Sequence, residues 1–179
     1  VNRLPIDDIS SWIFSCSEHI FDNFEDLKKD LISSGYSFKS DTDTEVIANL
    51  IQKNFEQTSD IKQTIIKTVS QLKGHYAFVV IFENGTLAAA RFHEPLIVGV
   101  GKNSYYLSSD VLGFIERTDD AIYIDNEDFV IVNDSGLEIH NFDGIEKIIG
   151  KMESQKKSLA ITREIGLTFT NKFGKHGKV

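Results

Sequence analysis

HYAFVVIFENGTLAAARF, residues 75–92, narrows the possible folds more than any other stretch. Two apolar runs of strand type flank Asn84-Gly85, a dipeptide suited to a tight hairpin turn. Before this point the apolar spacing is helical. Asn23 can cap a helix whose Phe24, Leu27, Leu31 and Ile32 share one face, closed by Gly35. Thr42, with Glu45 three positions on, forms a capping box and starts a helix with Val46, Ile47, Leu50 and Ile51 as its buried stripe. Asp60 caps a third, with Ile61, Ile65, Ile66, Val69 and Leu72 inward, and Gly74 stops it. After the hairpin, LIVGVG, SYYLS, AIYID, DFVIV and LEIHN follow as strands at short spacing, and SWIFS (Ser11 to Ser15) is an early one. Helices first and an antiparallel run afterwards give an α+β fold, not a doubly wound parallel sheet.

Charge and cysteine content restrict the function classes. The chain of 179 residues is long enough for one well-buried domain. Its net charge of −8 argues against a nucleic-acid surface on the body. From Lys147 onward eight Lys/Arg stand against two acids, a balance of +6 that leaves −14 (−8 less +6) for the first 146 residues. The shift sets a boundary near Gly150, with 151–179 read as a basic tail that is solvated, docked on the acidic body, or used for binding. LTFTNKF (Leu167 to Phe173) alternates in the manner of a docking strand. No apolar run approaches the length of a membrane span, and no signal peptide opens the chain, so no membrane partner is expected. The single cysteine, Cys16, rules out an internal disulfide framework and fits a reducing, cytoplasmic setting.

The polar residues offer few sites. In KSDTDTEVIANLI, Glu45 belongs to the capping box and the helix dipole favours acids on a first turn. Asp43 is not needed as a cap if Thr42 does that work. A carboxylate at a helix start can accept a ligand ammonium group while nearby backbone N–H groups face a ligand carboxylate, and an amino acid carries both. Capping and ligand binding both remain open on spacing alone. His19 and His93 stand without Cys or His at ligand spacing, so neither a metal nor any other cofactor is expected. Asp119-Asp120 and Asp125 to Asp128 read as solvated turn acids, Arg91 as a structural ion-pair partner, and Cys16 as a small packed residue.

SGYSFKSDTDTEVIANLI, then QLKGHYAFVVIFENGTLAAARFHEPLIVGVG, then YLSSD closely resemble the glutaminase domain of the glutamine–fructose-6-phosphate aminotransferase (glucosamine-6-phosphate synthase) family. These are class II glutamine amidotransferases of the N-terminal-nucleophile superfamily, and the likeness runs in order from about Val1 to about Gly150. The resemblance implies an αββα sandwich of antiparallel sheets covered by helices. It assigns 1–150 to a glutaminase-like domain, and it gives Asp43 the role of holding the α-amino group of glutamine. It also implies a sugar-phosphate isomerase domain or subunit as partner, and a homo-oligomer.

The same resemblance marks departures. The family uses a cysteine at the mature N-terminus whose own α-amine serves as base, because a nucleophile without its base is weak. Val1-Asn2-Arg3-Leu4-Pro5 is similar to the family segment just after a Trp-Ala-Thr-His-Gly motif. The part with the nucleophile, the carboxylate-binding arginine and the first strands is therefore expected to be missing, leaving a sheet edge open. Cys16 sits inside the chain, followed by SEHIFDN, and does not replace the nucleophile. Anchored on Asp22-Asn23-Phe24, the family's oxyanion-hole Asn-Gly falls on Glu18 and His19. A carboxylate there repels a developing oxyanion, and losing one good donor typically costs about 10²–10³ in rate. The chain is thus expected to bind glutamine weakly and not to turn it over. The alternative is a degenerate regulatory or scaffolding subunit that keeps the fold without catalysis.

Overall fold

A computed structural model of the chain describes residues 13–16 and 22–147. Basic residues 151–179 and the LTFTNKF segment lie outside the described residues. Contacts divide the described residues into two compact units, one running up to Glu94 and including Asp125–Lys147, the other Pro95–Ile124.

The first unit holds three helices: α1 (Phe24–Ser33), α2 (Asp43–Thr58) and α3 (Ile61–Val69). They are followed by β2 (Tyr76–Ile81) and β3 (Leu87–Phe92), joined through the expected turn. Gly85 sits at φ 83°, a left-handed conformation that glycine adopts without strain, and Asn84 Oδ1 accepts from Thr86 N at 3.0 Å. With β1 (Ile13–Cys16), β7 (Asp128–Asn133), β8 (Gly136–Asn141) and the two-residue β9 (Glu146–Lys147) they form one sheet, in the order β1-β2-β3-β7-β8-β9. Every pairing is antiparallel. The fold is α+β, as the order of patterns predicts.

Alternation along the strands decides which face the helices cover. Tyr76, Phe78 and Val80 of β2, Ala88 and Ala90 of β3, and Phe129 and Ile131 of β7 share one apolar cluster with the helices. Val46, Ile47, Leu50 and Ile51 from α2 and Ile65 and Val69 from α3 complete it. At about 25 cal/mol per Å² of apolar area buried, such a cluster is the main stabilising contribution of the unit. One expected core residue is outside it: Ile32 is 53% exposed, and Leu31 alone on α1 is fully buried. Neither Asn23 nor Thr42 caps its helix through its side chain. Asn23 instead donates to Gln71 O at 2.8 Å and accepts from Lys73 N at 3.0 Å, tying the start of α1 to the end of α3.

The acids leading into β7 are not all solvated turn residues. Asp128 begins β7 at 2% exposure, and Lys147 from β9 reaches it at 2.6 Å and Asp125 at 3.3 Å. Burial pushes the Asp128 carboxyl up against the pull of Lys147, while the bond to Asp128 pushes Lys147 up. The nearby charge of Arg91 also pulls the Asp128 carboxyl down.

The second unit is a three-stranded antiparallel sheet in the order β5-β4-β6, from β4 (Ile97–Val100), β5 (Tyr105–Ser108) and β6 (Ala121–Tyr123). The Phe114 ring packs against Gly99: a Cβ there would meet it at 2.6 Å, so a larger residue would force the ring to shift. A 3₁₀ turn at Val111–Gly113 follows the Ser108-Ser109-Asp110 motif, with Asp110 Oδ1 accepting from Leu112 N at 2.9 Å.

Candidate functional site

Asp43 is the first residue of α2, half-buried, at the end of the turn 39–42. One carboxylate oxygen, Oδ1, accepts from Thr44 N at 2.7 Å and more weakly from Thr44 Oγ1 at 3.4 Å. Among the described residues no hydrogen bond reaches Oδ2 and no Lys, Arg or His pairs with the carboxylate. An acid oriented by its own backbone neighbour, with one oxygen unspent and no counter-ion, can accept a ligand's ammonium group. The Thr42 hydroxyl does not cap the helix, and instead shares a 2.9 Å bond with Ser40 Oγ.

Glu45 departs from its expected part in a capping box. Its carboxylate reaches past Thr42, accepting from Lys39 N at 2.7 Å, Ser40 N at 2.7 Å and Ser40 Oγ at 2.6 Å. Burial raises its pKa, but these bonds and the charge of Lys28 outweigh that, and the carboxyl lies below its ordinary value. The turn is also held by Lys28 of α1, whose ammonium pairs with Asp41 at 2.7 Å. That ammonium also lies over the rings of Phe24 and Phe38, 5.8 and 5.2 Å from their centroids. Asn49, fully buried on α2, donates to Ser37 O at 3.4 Å. Sequence reasoning missed Lys28 and Asn49. The spacing Phe24-Lys28 on one helix face is the only local signal for the first, and nothing local marks the second.

Of the other sequence-derived positions, Cys16 and His93 are described. Cys16 ends β1, its backbone opposite Phe78. Glu18 and His19, the oxyanion-position substitutions, lie outside the described residues. His93 does not stand alone, because its ring centroid is 4.8 Å from that of His75. His93 has φ 64°, and its N–H donates to Asn126 Oδ1 at 2.6 Å. Among the described residues no three His, Cys, Asp or Glu side chains are grouped to hold a metal ion. No helix among them is long and apolar enough to cross a membrane.

Residues 7–116 match the family described as the glutamine amidotransferase domain. Glutamine–fructose-6-phosphate aminotransferase (isomerizing) of Thermotoga maritima is 34% identical over 149 residues, 82% of this chain and 24% of the relative. The enzyme of the same name from Pyrococcus horikoshii is 37% identical over 134 residues, 74% of this chain and 22% of the relative. The chain thus spans about a quarter of the length of the curated relatives it matches. Among solved structures, glutamine phosphoribosylpyrophosphate amidotransferase from B. subtilis, complexed with ADP and GMP, superposes with a TM-score of 0.60 at 28% identity. That likeness covers 68% of this chain and 27% of the other.

Proposed function

The chain belongs to the glutamine amidotransferase domain family, and from that premise we propose that it binds glutamine with Asp43 accepting the α-ammonium group. The observation that carries this reading is the half-buried Asp43 carboxylate, with Oδ1 fixed by Thr44 and Oδ2 unspent beside an α2 start that has no side-chain cap. The domain is related to that of glucosamine-6-phosphate synthase, and its proposed partner is a sugar-phosphate isomerase domain or subunit in the cytoplasm. The length of the curated relatives, about four times the matched stretch, supports that partner.

Within these 179 residues the one cysteine is Cys16, and Glu18 and His19 occupy the positions proposed for the oxyanion donors. A carboxylate at that position opposes a developing oxyanion, which supports binding of glutamine without turnover. The Glu18-His19 pair also favours a second reading, a regulatory or scaffolding subunit that keeps the fold without catalysis. Titration of the chain with glutamine, followed by calorimetry and by NMR, tests the binding claim, and Asp43→Ala is expected to abolish the signal. Binding unchanged by Asp43→Ala would return that acid to helix capping. A glutaminase assay tests the rest: steady glutamate release that survives Cys16→Ala and repurification would sink the claim of inactivity.

A further inference from the structure

A ligand carboxylate is useful only if the backbone that carries it is fixed, and the turn before Asp43 is fixed by another acid. Glu45 spends both its oxygens on that turn, on Lys39 N and on Ser40 N and Oγ, at 2.6–2.7 Å. In a capping box Glu45 would accept from the Thr42 amide, but that amide meets Ser40 Oγ at 3.4 Å instead. Lys28 of α1, 18% exposed, holds the fully exposed Asp41 at 2.7 Å and donates to Ser40 O at 3.4 Å. Ser40 is thus gripped through its amide and hydroxyl by α2 and through its carbonyl by α1.

We propose that Glu45 is a positioning residue for the amino-acid site, fixing through Lys39 and Ser40 the turn that aims the free oxygen of Asp43, with Lys28 as its brace. The inference rests on the glutamine reading above and adds the device that preorganises it. Charge-assisted hydrogen bonds are short and strong, and three on one carboxylate fix the turn before ligand arrives. Glu45→Gln keeps the shape but turns one acceptor into an N–H₂ donor that faces a backbone donor. At least one of the three bonds is then lost without opening a cavity.

The experiment uses the 179-residue chain and its Glu45→Gln, Asp43→Asn and Lys28→Met variants. Each is titrated with glutamine and with 4-carbamoylbutanoate, which is glutamine without its α-amino group. Amide exchange at Lys39 and Ser40 and the urea midpoint are measured beside them. Glu45→Gln is expected to weaken glutamine about tenfold, the lower end of the loss for a bond to a charged group. The amides of Lys39 and Ser40 lose protection and the urea midpoint falls only by what the lost bonds contribute, while affinity for the deaminated ligand changes little. A defect of folding would move both ligands and the midpoint together, and that outcome overturns the proposal. Glutamine binding lost in Asp43→Asn yet untouched in Glu45→Gln overturns this inference alone. No glutamine binding by the wild-type chain overturns the site reading and this inference with it. If Glu45→Gln does not fold, Lys28→Met carries the test: selective weakening of glutamine supports the brace, and equal affinity overturns it.

Discussion

At the start of α3, Asp60 turns its side chain onto its own helix, accepting from Gln63 N at 2.7 Å. At the start of α2, Thr42 makes no such bond, Asp43 keeps one oxygen free, and Glu45 reaches backward to the preceding turn. Both starts carry the residue types that cap helices, in a pattern that predicts the same outcome for each. At α3 the polar atoms serve the helix. At α2 they serve the turn, and the helix relies on its buried stripe of Val46, Ile47, Leu50 and Ile51. A helix held by packing can leave its first turn to other tasks, since tertiary burial contributes more to helix stability than caps do.

The largest effect expected from this contrast is on ligand affinity. Asp43→Ala should weaken glutamine at least tenfold, about 1.4 kcal/mol or more, because a charge-assisted contact is removed. Its cost in global stability should be small, since Asp43 holds only Thr44. A urea midpoint shift as large as that of a lost cap would break the comparison by making Asp43 a helix residue after all. Asp60→Ala comes next. It should cost about 1 kcal/mol of stability, the usual value for a cap, and leave glutamine affinity untouched. Equilibrium urea unfolding with an unchanged m value is the measurement.

How far these differences can be read in the sequence depends on the range of the contacts. The α2 stripe, the Asn84-Gly85 hairpin and the Asp60 cap are local, and period or turn chemistry reveals them. The same period puts Ile32 inward, yet it is exposed, because on this ten-residue helix the fully buried line narrows to Leu31. The Glu45 pattern points to the right residue and the wrong partner: spacing names the Thr42 amide, but the turn folds Lys39 and Ser40 closer. Lys28 bonds a residue thirteen positions away and Lys147 one nineteen away, and no local pattern encodes such pairs. The two-residue β9 that carries Lys147 has no periodicity to detect. For Asp43, spacing leaves capping and ligand binding open, as a capping acid and a ligand acid have the same spelling, and the family resemblance favours the ligand.

Acid titration sharpens the contrast. The Glu45 carboxyl lies below its ordinary value of 4.5, so between the two values the unfolded chain holds a proton there that the folded chain does not. Its contribution to stability is fully present above about pH 4.5 and is lost as pH falls through the lower, folded value. Glu45→Gln should flatten that part of the stability curve measured by urea unfolding across acid pH. An unchanged slope would mean that other acids carry it and that the clamp on Lys39 and Ser40 is weak in solution.

The smallest effect is the most discriminating. Thr42 occupies the cap position of α2, and a working threonine cap replaced by alanine costs about 0.5–2 kcal/mol. Its hydroxyl here bonds only Ser40 Oγ, in an exposed turn where that serine already has Glu45 as a partner. Thr42→Ala should therefore cost less than that range, a few tenths of a kcal/mol at most, and clearly less than Asp60→Ala measured under the same conditions. The two variants share a chain and a method, and their difference does not depend on the absolute stability of the protein. Equal losses would show that Thr42 caps α2 in solution, which would place the hydroxyl over the first-turn amides and close the open helix start beside Asp43. A near-zero loss leaves the α2 start without a side-chain cap, as the ligand reading of Asp43 requires.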